Sequence, residues 1–179
     1  MEEKEIKAMI SLLEDDDQQV SQHVEQQIRT LGTVAIPFLE REWESNLNPE
    51  VQQRIELLIH DLQFQLSRER LKDWYTSPGR ELMTGMWIVA SIQYPDLQIE
   101  KIRHELEQIY YEVWLQFRND MTVMERIKVL NSVLFTKLRF GSNTKNFHSP
   151  GNSMINVVLE SKKGNPITLC VIYLLVARK

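Results

Sequence analysis

One cysteine, six glycines and six prolines are all that 179 residues contain of the types that staple, loosen or break a chain. A single cysteine excludes an internal disulfide framework and points to a reducing, cytoplasmic setting. Scarce glycine and proline exclude collagen-like repeats and flexible linkers, and argue against long disorder. No uncharged run reaches the roughly 18–20 residues that span a bilayer, so no membrane association is expected. The opening MEEKEIK is acidic and lacks the apolar core of a signal peptide. His23, His60, His104 and His148 are scattered, and no His/Cys/Asp/Glu grouping has zinc spacing, so neither a metal nor another cofactor is expected. What remains is 42% hydrophobic and 26% charged residues, the proportions of one globular domain or two small ones.

Charge is unevenly spread. The net charge of −4 combines an acidic first part, with 7 Lys/Arg and 15 Asp/Glu in residues 1–70, and a basic remainder, with 14 and 10. From residue 137 onward seven Lys/Arg face Glu160 alone. Such asymmetry marks either two functional halves or two docked surfaces of one molecule.

The acidic part contains an internal repeat at an offset of 31 residues. Asp17-Gln18-Gln19-Val20 is echoed by Asn48-Pro49-Glu50-Val51. Val20, Val24, Ile28 and Leu31 then answer to Val51, Ile55, Ile59 and Leu62, spacings that put each set on one helical face. Asp17 and Asn48 are N-cap types, and Pro49 falls at the first helical position, where no amide donor is needed. Shorter helices are expected before each cap, over 4–13 and 34–43, with Gly32 ending the first pair. The acidic run Asp15-Asp16-Asp17 does not make a calcium loop, because its sixth and twelfth positions are Val20 and Gln26 rather than Gly and Glu. The pattern LLEDDDQQVSQHVEQQIRTLGTVAIPFLE resembles a HEAT-type repeat, a helix pair whose apolar faces are buried by stacking.

The middle predicts three helices. The first covers 81–91. The second runs from about Leu97 to Phe117, with Ile102, Leu106, Ile109, Tyr110, Val113 and Phe117 on one face. The third is capped by Thr122 with Glu125 as capping-box partner, and its buried edge is expected to be Ile127, Leu130, Leu134 and Leu138. Trp43, Trp74, Trp87 and Trp114 stand at helical spacing among aliphatic residues and are expected in the core.

The last forty residues begin with turn formers, from Arg139 to Ser153, with room for a short strand near Phe140. A short helix over 153–161 follows. Asn165 then reads as an N-cap and Pro166 as the first residue of a final helix, 166–179. That helix is apolar on every side, which predicts enclosure by other elements. Cys170 sits five residues past the cap and reads as a small buried hydrophobe.

The motifs YPxL at Tyr94–Leu97, LNxxLF at Leu130–Phe135, and the run PGNSMINVVLESKKGNPITLCVIYLLVAR from Pro150 resemble the SirB-type branch of the bacterial transglutaminase-like superfamily. The resemblance implies a papain-like fold in which a nucleophile-bearing helix packs on an antiparallel sheet. In active members a cysteine at that helix's start pairs with a His and an Asp on later strands. A helix N-terminus and a nearby imidazolium would favour the thiolate, and the acid would orient the imidazole. In this chain the candidates are Cys170 and, at the helix start where the SirB-type branch carries Ser or Thr, Thr168. His148 matches no catalytic position, and the sheet with its His and Asp is expected beyond Lys179.

The fold expected for these residues is all-α: a HEAT-like pair over 1–70, a helical region over 71–140, and the start of a truncated transglutaminase-like core over 141–179. The expected function is that of a SirB-type, transglutaminase-like protein, non-catalytic in this form, acting as a protein-interaction or regulatory module with partners met through the helical repeats. The alternative is a cysteine-dependent hydrolase or acyl transferase completed by residues beyond 179. A third reading, nucleic-acid binding through 137–179, is disfavoured because aromatics are not interleaved with the charges.

Overall fold

The structure is a computed structural model that describes residues 3–15 and 17–179; Met1 and Glu2 of the acidic N-terminus, and Asp16 of the aspartate run, lie outside the described residues. The chain divides into two units, Met1–Glu69 and Arg70–Lys179.

Two chemically matched turns organise the first unit. Asp15 Oδ1 accepts from the Asp17 amide at 2.9 Å, and Asp17 Oδ1 accepts from the Gln19 amide at 2.8 Å. Thirty-one residues on, Asn46 Oδ1 accepts from the Asn48 amide at 2.9 Å, and Asn48 Oδ1 accepts from the Glu50 amide at 3.0 Å. Each tandem of side-chain caps satisfies the amides that a starting helix leaves open. The first launches α2 (Gln18–Leu31) after α1 (Glu3–Ser11); the second launches α4 (Pro49–Thr76) after α3 (Ile36–Ser45). Gly32, at φ 65°, closes α2 in a backbone region that glycine enters without steric penalty. The repeated apolar positions face one core: Val24 and Ile28 are buried with Val51, Ile55 and Leu62, joined by Ile10, Leu13 and Leu39. Val34, expected to begin the third helix, instead sits exposed in a 3₁₀ turn, Gly32–Ala35. α4 is longer than the repeat requires, and its final turns from Arg70 onward belong to the second unit.

The second unit is helical apart from one parallel pair of two-residue strands. α5 (Leu82–Ser91), α6 (Ile99–Trp114), α7 (Val123–Asn131), α8 (Ile155–Ser161) and α9 (Pro166–Ala177) surround a core that includes Ile102, Leu106, Ile109, Leu134, Ile155 and Ile172. The all-α expectation is met: the strands β1 (Gly141–Ser142) and β2 (Lys163–Gly164) are the only ones among the described residues. Thr122 and Glu125 form the expected capping box, with both reciprocal bonds present.

Three expectations about side chains fail. None of the four tryptophans is fully buried: Trp43 and Trp114 are exposed, and Trp74 and Trp87 are half-buried. Trp87 does pack against the core, with its indole N–H on the Leu97 carbonyl, whereas Trp43 and Trp74 donate to Glu56 and the Glu81 carbonyl. Ile127 is exposed, because the core meets α7 only from Val129 onward; α7 then widens into a π turn, Ser132–Lys137, that buries Val133 and Leu134, and Leu138 packs half-buried against the same core. Finally, α9 is not enclosed, as described below.

Gly164 packs where a side chain cannot: a Cβ there would lie 2.8 Å from both methyl groups of the buried Val158 and 3.4 Å from the Asn152 carbonyl oxygen. Gly164→Ala should therefore destabilise the protein by about 1–3 kcal/mol in denaturant melts, as overpacking does. Val158→Ala added to that variant should cost less than it costs alone, since it clears the clash; strictly additive costs would contradict this packing.

The capping box gives a pH signature. Hydrogen bonds from the Thr122 amide, then from its hydroxyl, hold the Glu125 carboxyl below the usual glutamate range. A carboxylate lowered in the native state stabilises fully above its unfolded pKa and stops doing so as pH falls through the native value. Acidification from neutrality to about pH 3 should thus lower the melting temperature of the wild type slightly more than that of Glu125→Gln. Parallel pH profiles would show that the box carries no linked stability.

Candidate functional site

The start of α9 is fixed by asparagines. Asn165 Oδ1 accepts from the Thr168 amide at 2.8 Å, and Asn165 Nδ2 donates to Ser153 Oγ at 2.8 Å. The Asn165 amide donates to the Asn152 carbonyl at 3.1 Å. Asn152 is itself buried, and its side-chain amide donates to the carbonyls of Asn146 at 2.8 Å and Phe147 at 2.9 Å. Its Oδ1 accepts from Asn143 Nδ2 at 2.9 Å. Asn143 follows β1, and its amide donates to Gly164 of β2 at 3.3 Å. The turn-rich segment predicted from composition is thus an ordered frame that aims α9. Sequence reasoning found only Asn165 of this set; the recurrence of asparagine at 143, 146, 152 and 165 was the available signal.

α9 has two faces. Thr168, Val171, Ile172 and Val176 are buried, whereas Ile167, Cys170 and Leu174 are exposed, Ile167 by 74%. Enclosure on every side was expected, and the spacing 167–170–174 instead traces one open apolar stripe along the helix. Phe135 lies beside it, stacked on the half-buried Tyr173 at 6.2 Å between ring centroids.

The two candidate nucleophiles fall on opposite sides. Thr168 is 1% exposed, and its backbone amide is held by the cap. Cys170, expected to be buried, is exposed, because it shares the outward stripe with Ile167 and Leu174. Among the described residues it makes no hydrogen bond to a histidine or a carboxylate. His148 is exposed and meets the ring of Phe147 edge-on at 5.3 Å. No group of three or more His, Cys, Asp or Glu among the described residues could hold a metal ion.

Several cations of the basic stretch have internal partners. Lys137 pairs with Glu112, Lys179 with Glu107 at 3.0 Å, Lys163 Nζ donates to the Arg139 carbonyl at 2.9 Å, and Lys162 lies over the Phe140 ring at 5.0 Å. No helix of the described residues is long and apolar enough to cross a membrane.

Frame and helix together lie in a stretch with a family signature: residues 100–179 match the model of the transglutaminase-like superfamily. Among curated relatives, UPF0162 proteins of Xylella fastidiosa strains Temecula1 and 9a5c are each 32% identical over 109 residues, covering 55% of this chain and 35% of the relative. The chain thus spans about a third of the length of the curated relatives it matches. No solved structure gives a significant match.

Cys170 is exposed and has no hydrogen bond to a histidine or a carboxylate among the described residues, and activation of a thiol ordinarily needs such a partner. Iodoacetamide at neutral pH should alkylate Cys170 in the folded protein at a rate within about tenfold of the urea-denatured protein. Complete protection would contradict the exposed stripe, and labelling far faster than in urea would reveal an activating group.

Proposed function

We propose that this is a SirB-type, transglutaminase-like protein that is non-catalytic in this form and works as a protein-interaction or regulatory module. The observation that carries the reading is the division of α9. The helix-start residue that the SirB-type resemblance aligns with the nucleophile position, Thr168, is enclosed, and the thiol two residues later has no general base among the described residues. The open stripe of Ile167, Cys170 and Leu174 supports a further point: it is the face on which a papain-like sheet would rest. Residues 1–70 act in this reading as a HEAT-like pair that meets protein segments. The matched caps and the equivalent burial of Val24 and Ile55 support that assignment. A cytoplasmic location completes the picture.

One observation favours a second reading, a cysteine-dependent hydrolase or acyl transferase: Cys170 is exposed rather than packed away. Nucleic-acid binding receives no such support, since the partnered cations of the basic stretch do not form an open track.

The test is turnover. The protein, and the longest natural form that contains it, should release no ammonia from γ-glutamyl amide peptides in the presence of a primary amine, and should not hydrolyse them. Turnover that Cys170→Ser abolishes would replace the interaction reading with the enzymatic one.

A further inference from the structure

On the first unit, a groove of about 420 Å³ opens between α3 and α4. Trp43 and the half-buried Ile59 form its apolar wall. The Trp43 indole donates to Glu56 Oε1 at 3.0 Å, so the ring is held in one pose while 38% of the residue stays exposed. Glu40, Glu44 and Glu56 line the groove, and no Lys or Arg does. All three glutamates are exposed, and none has an ion pair among the described residues. The cations nearest to them in sequence are engaged elsewhere: Arg41 lies over the Phe38 ring at 5.5 Å, and Arg54 lies 3.6 Å from Glu25. Nor do these acids stabilise the helix that carries them. Glu40 and Glu44 stand four apart on α3, where like charges repel, and Glu44 lies in the last turn, where the helix dipole favours a cation. Other acids of this unit are neutralised within it, as Glu25 and Asp61 are by Arg29.

We infer that this groove receives a basic segment of a partner protein, with an arginine or lysine laid over Trp43 among the carboxylates and a neighbouring apolar side chain against Ile59. Charge complementarity and the aromatic face select the same group. Carboxylates attract a cation, and an indole ring attracts one through its π face, more strongly than the other aromatic rings do. A cation seated there also relieves the repulsion between Glu40 and Glu44, which the free protein carries unrelieved. A small free cation would leave Trp43 and Ile59 in water, whereas a peptide covers both as it pairs with the acids. The volume falls within the range of about 300–1,000 Å³ typical of ligand clefts, which suits a few anchoring side chains. The inference rests on the reading of residues 1–70 as a module that meets protein segments, and it names the chemistry of the segment.

The test uses the 179-residue protein and a fluorescein-labelled peptide of about 12 residues whose centre alternates leucine and arginine, at about 0.15 M salt. Fluorescence anisotropy should show saturable binding, at least about tenfold weaker when citrulline, a neutral isostere, replaces arginine in the peptide. The double substitution Glu40→Gln with Glu44→Gln should weaken binding by about tenfold while leaving the melting temperature unchanged or higher, because it removes a like-charge pair from α3. Trp43→Leu should weaken binding by about threefold or more. Glu69→Gln with Glu160→Gln, the same change of net charge at two exposed glutamates outside the groove, should leave binding unchanged. All these positions are exposed, and circular dichroism melts confirm that each variant is folded before it is compared. No binding, equal binding of the arginine and citrulline peptides, binding indifferent to the groove glutamates or to Trp43→Leu, or an equal loss from the control pair overturns the proposal. So does displacement of the peptide by spermidine at concentrations below the peptide's own Kd, which would assign the groove to a small polyamine. Failure here appears as absent or unselective binding, whereas failure of the non-catalytic reading appears as turnover, so the two are told apart.

Discussion

Asn152 carries five hydrogen bonds from a position that water hardly reaches: two donated by its side-chain amide, one donated by its backbone amide to the Ser149 carbonyl, one accepted by its side-chain oxygen and one by its carbonyl. A buried amide left without partners costs about 1–3 kcal/mol per group, so the segment around Asn152 has little freedom to adopt another path. Everything at the candidate site follows from that constraint. It holds Asn165 at the helix start, fixes the rotation of α9, and thereby decides which of its residues meet the core. Gly164 is tied to the same point, since its backbone runs between Val158 and the Asn152 carbonyl. Such a network fixes one geometry because its members are satisfied only in concert.

Local signals were legible wherever the determining chemistry lies within a few residues. The caps at Asp17, Asn48, Thr122 and Asn165 were readable because an N-cap is a one-turn event. The 31-residue offset was readable because the apolar register recurs with the caps, and Ile55 is buried like its counterpart Val24, whereas Ile59, the counterpart of the buried Ile28, is only half-buried. What failed was the step from apolar to buried. The composition of α9 says that it avoids water on every side, but only neighbours decide which sides are covered, and besides α8 just before it they come from α5 and α6, far off in sequence. The tryptophans failed for a related reason: an indole N–H in need of a carbonyl or carboxylate draws the ring to the rim of the core. Of the asparagine frame only the cap at Asn165 was legible, because the other bonds link residues 143, 146, 147 and 152 through tertiary geometry, and composition registers only turn formers.

The two units differ in electrostatics as well as in packing. In the first, Arg29 bridges Glu25 and Asp61, and Arg54 reaches Glu25, so scarce cations are met by several acids within the helix pairs. In the second, cations outnumber acids, and the surplus is taken up by carbonyls and rings: Lys163 on the Arg139 carbonyl, Lys162 on Phe140, Arg70 on Trp87, Arg126 on Phe117. Carbonyls and ring faces leave a cation's positive potential uncancelled where a carboxylate would neutralise it.

The geometry of a single helix also narrows the chemical question at α9. Two residues apart on an α-helix means about 200° of rotation, so positions 168 and 170 cannot face the same neighbour. With Thr168 against the core, Cys170 must look outward, and anything that docks on the open stripe meets the thiol and never the hydroxyl. If a sheet covers that stripe, it seals Cys170 among Ile167 and Leu174 and leaves it reactive only where the sheet itself carries an imidazole to the sulfur. The helix alone therefore supplies position and no activation. Any catalytic competence would have to arrive with the element that covers it.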